Sequence, residues 1–588
     1  DDANKRFDKF KKSEDSASEG NPLVINECPW CKSQIGKAKS TEKPKQLKDT
    51  QWIDIRIKGF KVSGRGREKR VSLACSDNNC HFGGRYEESW LPIEVIDENL
   101  YAEPPSMFIA TADKFAMLAY RPNAGALFGK RIHGSEVTNF SMPPGIIIQD
   151  ELHLISGPLG TMYGAYEAVL EDLCTHKMAN GKTKKPKIIA STATISGAQK
   201  QIKSLYNREQ LQLFPSPGLD MGDSFFGKYA VKEDNKTRAH GRLYLGLLAE
   251  FGSVQTTQVR CFASIIFHTA CLEKEFQDPW WTLLCFYNSI RELSGGRTLF
   301  DSDIPARLKY LNSKVNIPPA NRRYIQNIYE LTSRLSQSKL VQLMDELNKG
   351  FDAVEKAPVD VCLASNIIEV GVDIDRLSIM SVIGQPKSTA QYIQVTGRVG
   401  RRWDSQPGLI TTIYNPSKSR DRSHYEQFAS YHSRLYEQVE ATSVTPFSES
   451  AISRALPGVI LTWVRQQTAA SIESRCKYES LINDCKELIL IRCRSILELE
   501  PNELMRAENA INDTVSELIT KLHKRPEEWE RYQNEPEGHY LMLWPGQIYE
   551  KHQELKGVKV PSSMRQVDSS ALLEICGEYG DEECQEKI

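Results

Sequence analysis

Residues 364–402 read ASNIIEVGVDIDRLSIMSVIGQPKSTAQYIQVTGRVGRR, and they decide the fold. An apolar run from Val359 to Leu363 leads into Ala364, Ser365 and Asn366, and a second, from Leu377 to Ile383, leads into a helix. Short apolar runs separated by helical stretches predict buried parallel strands with crossover helices. The helix ends in two arginines, Arg398 and Arg401, spaced by Gly397 and Gly400. The glycines let the backbone pack closely, so two guanidinium forks can project from one short segment toward a common anion. A triphosphate suits them, because an arginine at a phosphoryl transition state is worth roughly 10³ to 10⁵ in rate. Taken alone, the pair also reads as a basic surface turn.

The wider pattern narrows the choice. Gln394, Gly397, Arg398, Gly400 and Arg401 fill the string Q-x-x-G-R-x-G-R, and the stretch resembles motifs V and VI of the superfamily 2 helicases. The resemblance implies that Arg398 and Arg401 act on a triphosphate and that Gln394, Gly371 and Asp373 lie at the nucleotide. It also implies that Ser365 contacts a nucleic-acid backbone.

Length and composition fit such a protein. At 588 residues the chain has room for three or four domains, and 40% hydrophobic content is ordinary for globular protein. No apolar run approaches the ~20 residues of a membrane span, and the charged N-terminus is unlike a signal peptide, so a cytoplasmic address is expected. Most of the 14 cysteines stand singly in apolar stretches, as Cys261, Cys285 and Cys362 do, which suits reduced thiols. A net charge of −1 excludes a globally basic nucleic-acid coat, so phosphate binding must come from local groups.

Taken in order, residues 1–21 carry mixed charge and no apolar period, as disordered tails do. Cys28 and Cys31 then occur in C-P-W-C, and Cys75 and Cys80 in C-S-D-N-N-C, with Ile53, Ile55 and Ile57 alternating with polar residues between them. Two close pairs joined by strands predict a ribbon in which four thiolates hold one structural Zn²⁺, although His81 could replace a ligand. Met107 to Thr111 reads as a buried strand ending in T-A-D-K-F, which is similar to helicase motif Ib. Thr111 there suits a phosphodiester, or equally an N-cap.

Gly145 to Gln149 is a continuous apolar run followed by Asp150, Glu151, Leu152 and His153. A strand buried on both faces would place these acids in the crevice where α/β proteins bind nucleotides. Asp150 would hold Mg²⁺ and Glu151 would polarise the attacking water. The string resembles the D-E-x-H box, in which His153 couples the nucleotide site to the next motif. Ser191, Thr192, Ala193 and Thr194 resemble motif III, and Asn288 and Ser289, after the run Trp281 to Tyr287, resemble motif IV. Gly181, Lys182 and Thr183 do not make a P-loop, because the glycine required five residues earlier is His176. Lys182, Lys184, Lys185 and Lys187 read as a solvated loop, and Lys418, Arg420 and Arg422 as a polar loop that could also touch DNA. Beyond residue 440 the apolar spacing turns helical, at Arg465 to Leu499 and Asn502 to Leu522.

The strings D-E-L-H-L-I-S-G-P-L-G (150–160), F-P-S-P-G-L-D (214–220) and S-M-R-Q-V-D (563–568) resemble the large helicase subunits of the DISARM anti-phage defence system, the DrmA-like family. The implied fold is α/β: two RecA-like doubly wound parallel-sheet lobes, the first incomplete, with a zinc-ribbon insertion and a helical C-terminal region. The expected divisions are a tail (1–21), the ribbon (22–105), the rest of the first lobe (106–215), a linker with the second lobe (216–440) and the helical region (441–588). The implied activity is an ATP-dependent motor on single-stranded or tailed DNA, using ATP, Mg²⁺ and Zn²⁺ and partnered by a DrmB-like subunit. That family carries a Walker A lysine ahead of the zinc region, so this chain is expected to be a C-terminal portion without turnover of its own. The competing class is a helicase-like clamp that grips nucleic acid or a partner without hydrolysis.

Overall fold

Alternating apolar residues around the paired cysteines build two small antiparallel strand pairs. The computed structural model describes residues 25, 27–33, 35–38, 56–58, 60–63, 70–83, 90–178, 180–192, 197–214, 219, 225–228, 241–332, 334–335, 337–351, 358–365, 374–402, 407–440, 444–529, 540–543 and 557–565. The expected tail (1–21), Gly371, Asp373 and the acidic C-terminus lie outside the described residues. In the cysteine region β1 (Gly36–Ala38) pairs with β2 (Arg56–Lys58), and β3 (Phe60–Ser63) with β4 (Arg70–Leu73).

In the first lobe the apolar run before the acids becomes β5 (Ile146–Gln149), which pairs in parallel with β6 (Lys187–Ala190). Parallel neighbours need a crossover, and α1 (Gly157–Leu173) supplies it. β5 is not buried on both faces, contrary to what its continuous apolar run implies. Among the described residues it and β6 form a sheet of two strands, and Ile146 and Ile148 stand 57% and 63% exposed. The expected strand at Met107 to Thr111 does not form either. These residues are irregular and exposed, since a strand needs a partner for its backbone and none lies beside them among the described residues. After β6 comes α2 (Ala198–Tyr206).

The second lobe is one fully parallel sheet: β7 (Arg242–Leu248), β8 (Leu283–Tyr287), β9 (Ile328–Leu331), β10 (Val361–Ala364), β11 (Ile379–Ile383) and β12 (Gly408–Tyr414), in spatial order β7-β12-β11-β8-β10-β9. Alternation splits β8 between two cores. Leu283, Cys285 and Tyr287 pack under α3 (Val254–Ala270), α4 (Ile290–Asp301) and α5 (Asp303–Lys314), while Leu284 and Phe286 face α6 (Gln337–Asn348) and α7 (Thr389–Thr396). Helices on both faces make the sheet doubly wound, as expected. Cys285 and Cys362 are buried free thiols, and burial raises both well above the ordinary thiol value.

The C-terminal region holds α8 (Glu449–Arg465), α9 (Arg475–Ile496) and α10 (Pro501–His523). The periodic pattern missed α8 and began α9 ten residues early, where residues 466–474 are a non-helical connection between the two helices. These helices pack on the first lobe: Ala455, Leu456, Val459 and Ile460 share one core with Tyr163, Tyr166 and Val169 of α1. The approach is close enough that a Cβ on Gly458 would collide with the Tyr166 hydroxyl. Lys418 to Arg422 are not a loop but run into a helix, Ser419–Glu426. Lys418 pairs with Glu292 at 2.7 Å and Arg422 with Glu426 at 2.9 Å. Lys185 likewise is not simply solvated, since its ammonium meets Glu171 of α1 at 2.6 Å.

Candidate nucleotide cleft and cysteine site

At the C-terminal end of β5 the chain must turn away at once. Glu151 does so in the left-handed region, at φ 50°, a conformation that costs a non-glycine residue on the order of 1 kcal/mol. The turn leaves Asp150 Oδ1 accepting the Glu151 N–H at 3.0 Å and the Ser191 hydroxyl. Backbone bonds from Leu152 to Ser191 O and from Ser191 to Gln149 O, both 2.9 Å, lock the acids to the strand beside them. The pairing expected between the D-E-L-H and S-T-A-T strings is thus a set of bonds between neighbouring strand ends.

His153 is nearly buried and is held on both ring nitrogens. Nδ1 lies 3.1 Å from Thr192 Oγ1 and 3.4 Å from Glu151 Oε2, while Nε2 meets the side-chain amide nitrogen of Gln394. The two ring nitrogens thus face different elements, Thr192 and Glu151 on one side and Gln394 on the other. Gln394 belongs to α7, so this contact brings the acidic end of β5 against the second lobe.

Motif VI leaves α7 through a loop whose shape is set by glycine. Gly400 has φ 61°, and a Cβ there would lie 2.6 Å from Gly408 Cα, at the start of β12. The loop is tied down by Gly400 N–H to Leu377 O at 2.8 Å and by Arg242, which donates to Val399 O at 2.8 Å and Gly397 O at 3.2 Å. Arg242 carries no motif signal, and only the β7–β12 pairing reveals it. Arg398 is half-buried and Arg401 exposed on this braced loop.

The remaining expected residues are dispersed. Ser365 follows β10, is 5% exposed and donates its N–H to Leu331 O at 3.1 Å, so its hydroxyl is not on the surface in this structure. Thr111 is exposed just ahead of the helix Asp113–Ala116. Its neighbour Asp113 accepts from Ser563 Oγ at 2.7 Å and Met564 N at 2.9 Å and pairs with Arg565 at 3.3 Å. Two strings that stood 450 residues apart as separate family features are therefore one contact. Asn288 staples two strand ends, donating to Ile383 O at 3.0 Å and Gly384 O at 3.1 Å. Beside it a cavity of about 420 Å³, lined by Tyr287, Ser289, Gly384 and Lys418 among others, opens at the C-terminal ends of β8 and β11. There the crossovers diverge to opposite faces, the usual ligand crevice of such sheets.

The four expected cysteines come together. The sulfurs of Cys28, Cys31, Cys75 and Cys80 all lie within 4.8 Å of one another, and Cys31 and Cys75 stand 3.3 Å apart. Each pair sits on a tight knuckle, closed by Cys28 N–H to Ser33 O at 2.8 Å and Cys75 N–H to Phe82 O at 2.8 Å. A tetrahedral Zn²⁺ with thiolate bonds of about 2.3 Å needs sulfurs roughly 3.8 Å apart, so the donor set fits that ion. His81 is not in the cluster.

Residues 282–402 match the helicase conserved C-terminal domain. The chain is 35% identical over 483 residues to the DISARM protein DrmA of Bacillus paralicheniformis, an alignment covering 77% of this chain and 42% of that protein. A shorter stretch of 79 residues is 32% identical to the ATP-dependent helicase Lhr-Core of Methanocaldococcus jannaschii, covering 13% of this chain and 9% of that one. The solved structure of the DUF1998 helicase MrfA bound to DNA superposes with a TM-score of 0.40 at 14% identity, over 62% of this chain and 40% of that one. The chain thus carries a helicase C-terminal domain at 282–402 and is similar over most of its own length to DrmA, of whose length the alignment spans less than half.

Proposed function

We propose that this chain is part of an ATP-driven DNA translocase of a DISARM-type defence system, acting in the cytoplasm on single-stranded or tailed DNA beside a DrmB-like subunit. The observation that supports this reading is the contact of His153, two residues after Glu151, with Gln394, four residues before Arg398 on α7. Bound ATP and Mg²⁺ would supply the phosphoryl group and its charge clamp. Asp150 and Glu151 offer the hard oxygen ligands such a cation takes. In this proposal Asp150 holds the cation, Glu151 orients the attacking water, and Arg398 and Arg401 stabilise charge on the phosphoryl group. Gly371 and Asp373 flank the nucleotide, and Thr111 and Ser365 belong to the strand path. Closure of the lobes would change the grip on DNA, with His153 reporting the nucleotide state through Gln394.

The division into ribbon, two lobes and helical region, with Zn²⁺ in the cysteine cluster, is part of the same proposal. The 588 residues contain no G-x-x-x-x-G-K-[ST] string, and the alignment covers 42% of DrmA. Turnover in this proposal requires a phosphate-cradling loop, which this stretch of sequence does not supply. The test compares a protein that carries such a loop with its Arg401→Ala variant by DNA-stimulated phosphate release and by strand titration without nucleotide. Hydrolysis is expected to fall by roughly two orders of magnitude or more, with DNA affinity unchanged. Intact hydrolysis with abolished DNA binding would instead make Arg401 part of a phosphate clamp.

A further inference from the structure

We propose that the crevice between α3 and α4, at the C-terminal ends of β8 and β11, is a nucleobase pocket that takes one amino-bearing base and leaves its phosphate at the rim. Thr111 and Ser365 are assigned above to the path of a strand, and this pocket adds a site for a base. That a strand delivers the base rests on the chain acting on DNA; the pocket itself does not.

The crevice has a volume of about 420 Å³, within the range of about 300–1,000 Å³ usual for small-ligand sites. Its floor is apolar, formed by Val254 of α3, Leu299 of α4, and Ile383 and Ile413 at the ends of β11 and β12. On the α4 side Gly295 and Gly296 present bare backbone. A Cβ on Gly296 would strike the Tyr287 hydroxyl at 2.1 Å, whereas one on Gly295 would meet nothing within 4 Å. The space beside Gly295 is therefore open to a guest.

Two polar groups in the wall lack partners. Gln258 of α3 is 5% exposed; its Oε1 accepts the Tyr287 hydroxyl at 3.2 Å, and its amide nitrogen meets no other group among the described residues. Glu292 of α4 takes the Lys418 ammonium on Oε1 at 2.7 Å, while Oε2 is closed off from solvent with no hydrogen-bond partner. Buried polar atoms are almost always met by something, so a donor and an acceptor left open beside one cavity point to a ligand with both on its edge. A base has that edge and two apolar faces: an amino group donates to Glu292, and a ring nitrogen or carbonyl accepts from Gln258. A hydrocarbon chain would leave both atoms unmet, and a bare phosphate would leave the floor uncovered.

Both helices begin at the rim. Val254 and Gln255 open α3, Ser289 caps α4 by accepting the Glu292 N–H at 3.2 Å, and Arg291 stands exposed on the first turn of α4. Helix starts and a guanidinium favour an anion, which orients the nucleotide with its phosphate outward and its base on the floor.

The experiment uses the whole chain and aminopurine, a fluorescent amino-bearing base whose emission is quenched by stacking within a strand. One probe is the free deoxynucleoside monophosphate, followed by anisotropy. The other is an oligothymidine of about 12 nucleotides with one aminopurine inside, followed by emission. The parent is expected to bind the free nucleotide, with deoxyadenosine monophosphate competing about tenfold better than thymidine monophosphate, which has no amino group. Gly295→Met fills the crevice from a position without neighbours, and Glu292→Gln removes the carboxylate acceptor. Each is expected to weaken the nucleotide about tenfold or more and to leave binding of plain oligothymidine unchanged. An emission rise in the strand-bound probe, lost in both variants, makes the source a base turned out of the strand; a response of the free nucleotide alone makes it a soluble nucleotide. Unchanged urea midpoints show that the second lobe is intact, and if Gly295→Met does not fold, Glu292→Gln decides. Equal nucleotide binding by parent and variants, or a preference for thymidine monophosphate, overturns the proposal. A parent that binds the oligonucleotide with no emission rise, and binds no free nucleotide, overturns it too and leaves the DNA reading standing. A parent that holds the nucleotide but no oligonucleotide keeps the pocket and sinks the DNA reading.

Discussion

Gly400 shows how little freedom the arginine loop has. Its φ of 61° suits glycine, and a Cβ would press on backbone atoms of Gly408, at 2.6 Å from Cα and 2.7 Å from N. Backbone cannot rotate away as a side chain can, so Gly400→Ala must shift the loop or the start of β12. We expect a loss of about 1–3 kcal/mol of stability in the second lobe. The check is urea unfolding followed by hydrogen exchange of β11 and β12, and exchange unchanged from the parent would refute it. His153 teaches a related point. Its role is defined by what each ring nitrogen touches, Thr192 and Glu151 on one side and Gln394 on the other, and none of that is visible in the residue type.

At the scale of elements, α1 and α9 meet through charge as well as apolar packing. Glu171 is held by Arg208 at 2.9 Å and Lys185 at 2.6 Å, with Arg492 of α9 at 3.8 Å. Glu167, one turn earlier on α1, is fully buried, and burial pushes its carboxyl up to about 7 against the pull of Arg492. A carboxyl whose folded value lies above its ordinary 4.5 binds its proton more tightly in the folded state. Its contribution to stability is complete below about pH 4.5 and is lost as pH rises through about 7. Glu167→Gln mimics the protonated form, so the variant should gain on the parent as pH rises, by up to about 3 kcal/mol above pH 8. Denaturant midpoints at pH 5 and pH 8 measure this, and an equal difference at both would remove Glu167 as the cause.

At the scale of the molecule, a segment near residue 560 folds back onto the first lobe. Residues 557–565 lie against the first lobe: Tyr120 donates its hydroxyl to Val560 O at 2.7 Å, and Asp113 binds Ser563, Met564 and Arg565. A bond to a charged acceptor contributes about 1.5–3 kcal/mol. Asp113→Ala should therefore release this segment locally while the α1–α8 core stays closed. Faster tryptic cleavage after Lys559 or Arg565, without a change in global unfolding, is the expected result. Cleavage at the parental rate would mean that Tyr120 and apolar packing hold the segment alone.

Much of this organisation could be read from the chain alone, because it follows from local rules. Period-two and continuous apolar runs specify β8, β10, β11 and β12, cysteine spacing specifies the knuckles, and the Q-x-x-G-R-x-G-R string specifies the arginine loop. What distant residues do to one another could not be read. The continuous run at Ile146 to Gln149 implies a strand buried on both faces, but burial depends on how many neighbours a strand has, and among the described residues β5 has one. Arg242 braces the arginine loop only because β7 pairs with β12, and Asp113 meets Ser563 only because the C-terminal segment folds back. The α8–α10 bundle, without chemical motifs, joins the first lobe because its apolar face shares a core with α1. Local sequence sets periodicity, turns and ligand spacing, whereas the exposure of a strand, the partner of an ion and the neighbours of a histidine depend on groups that only folding brings within a few ångströms.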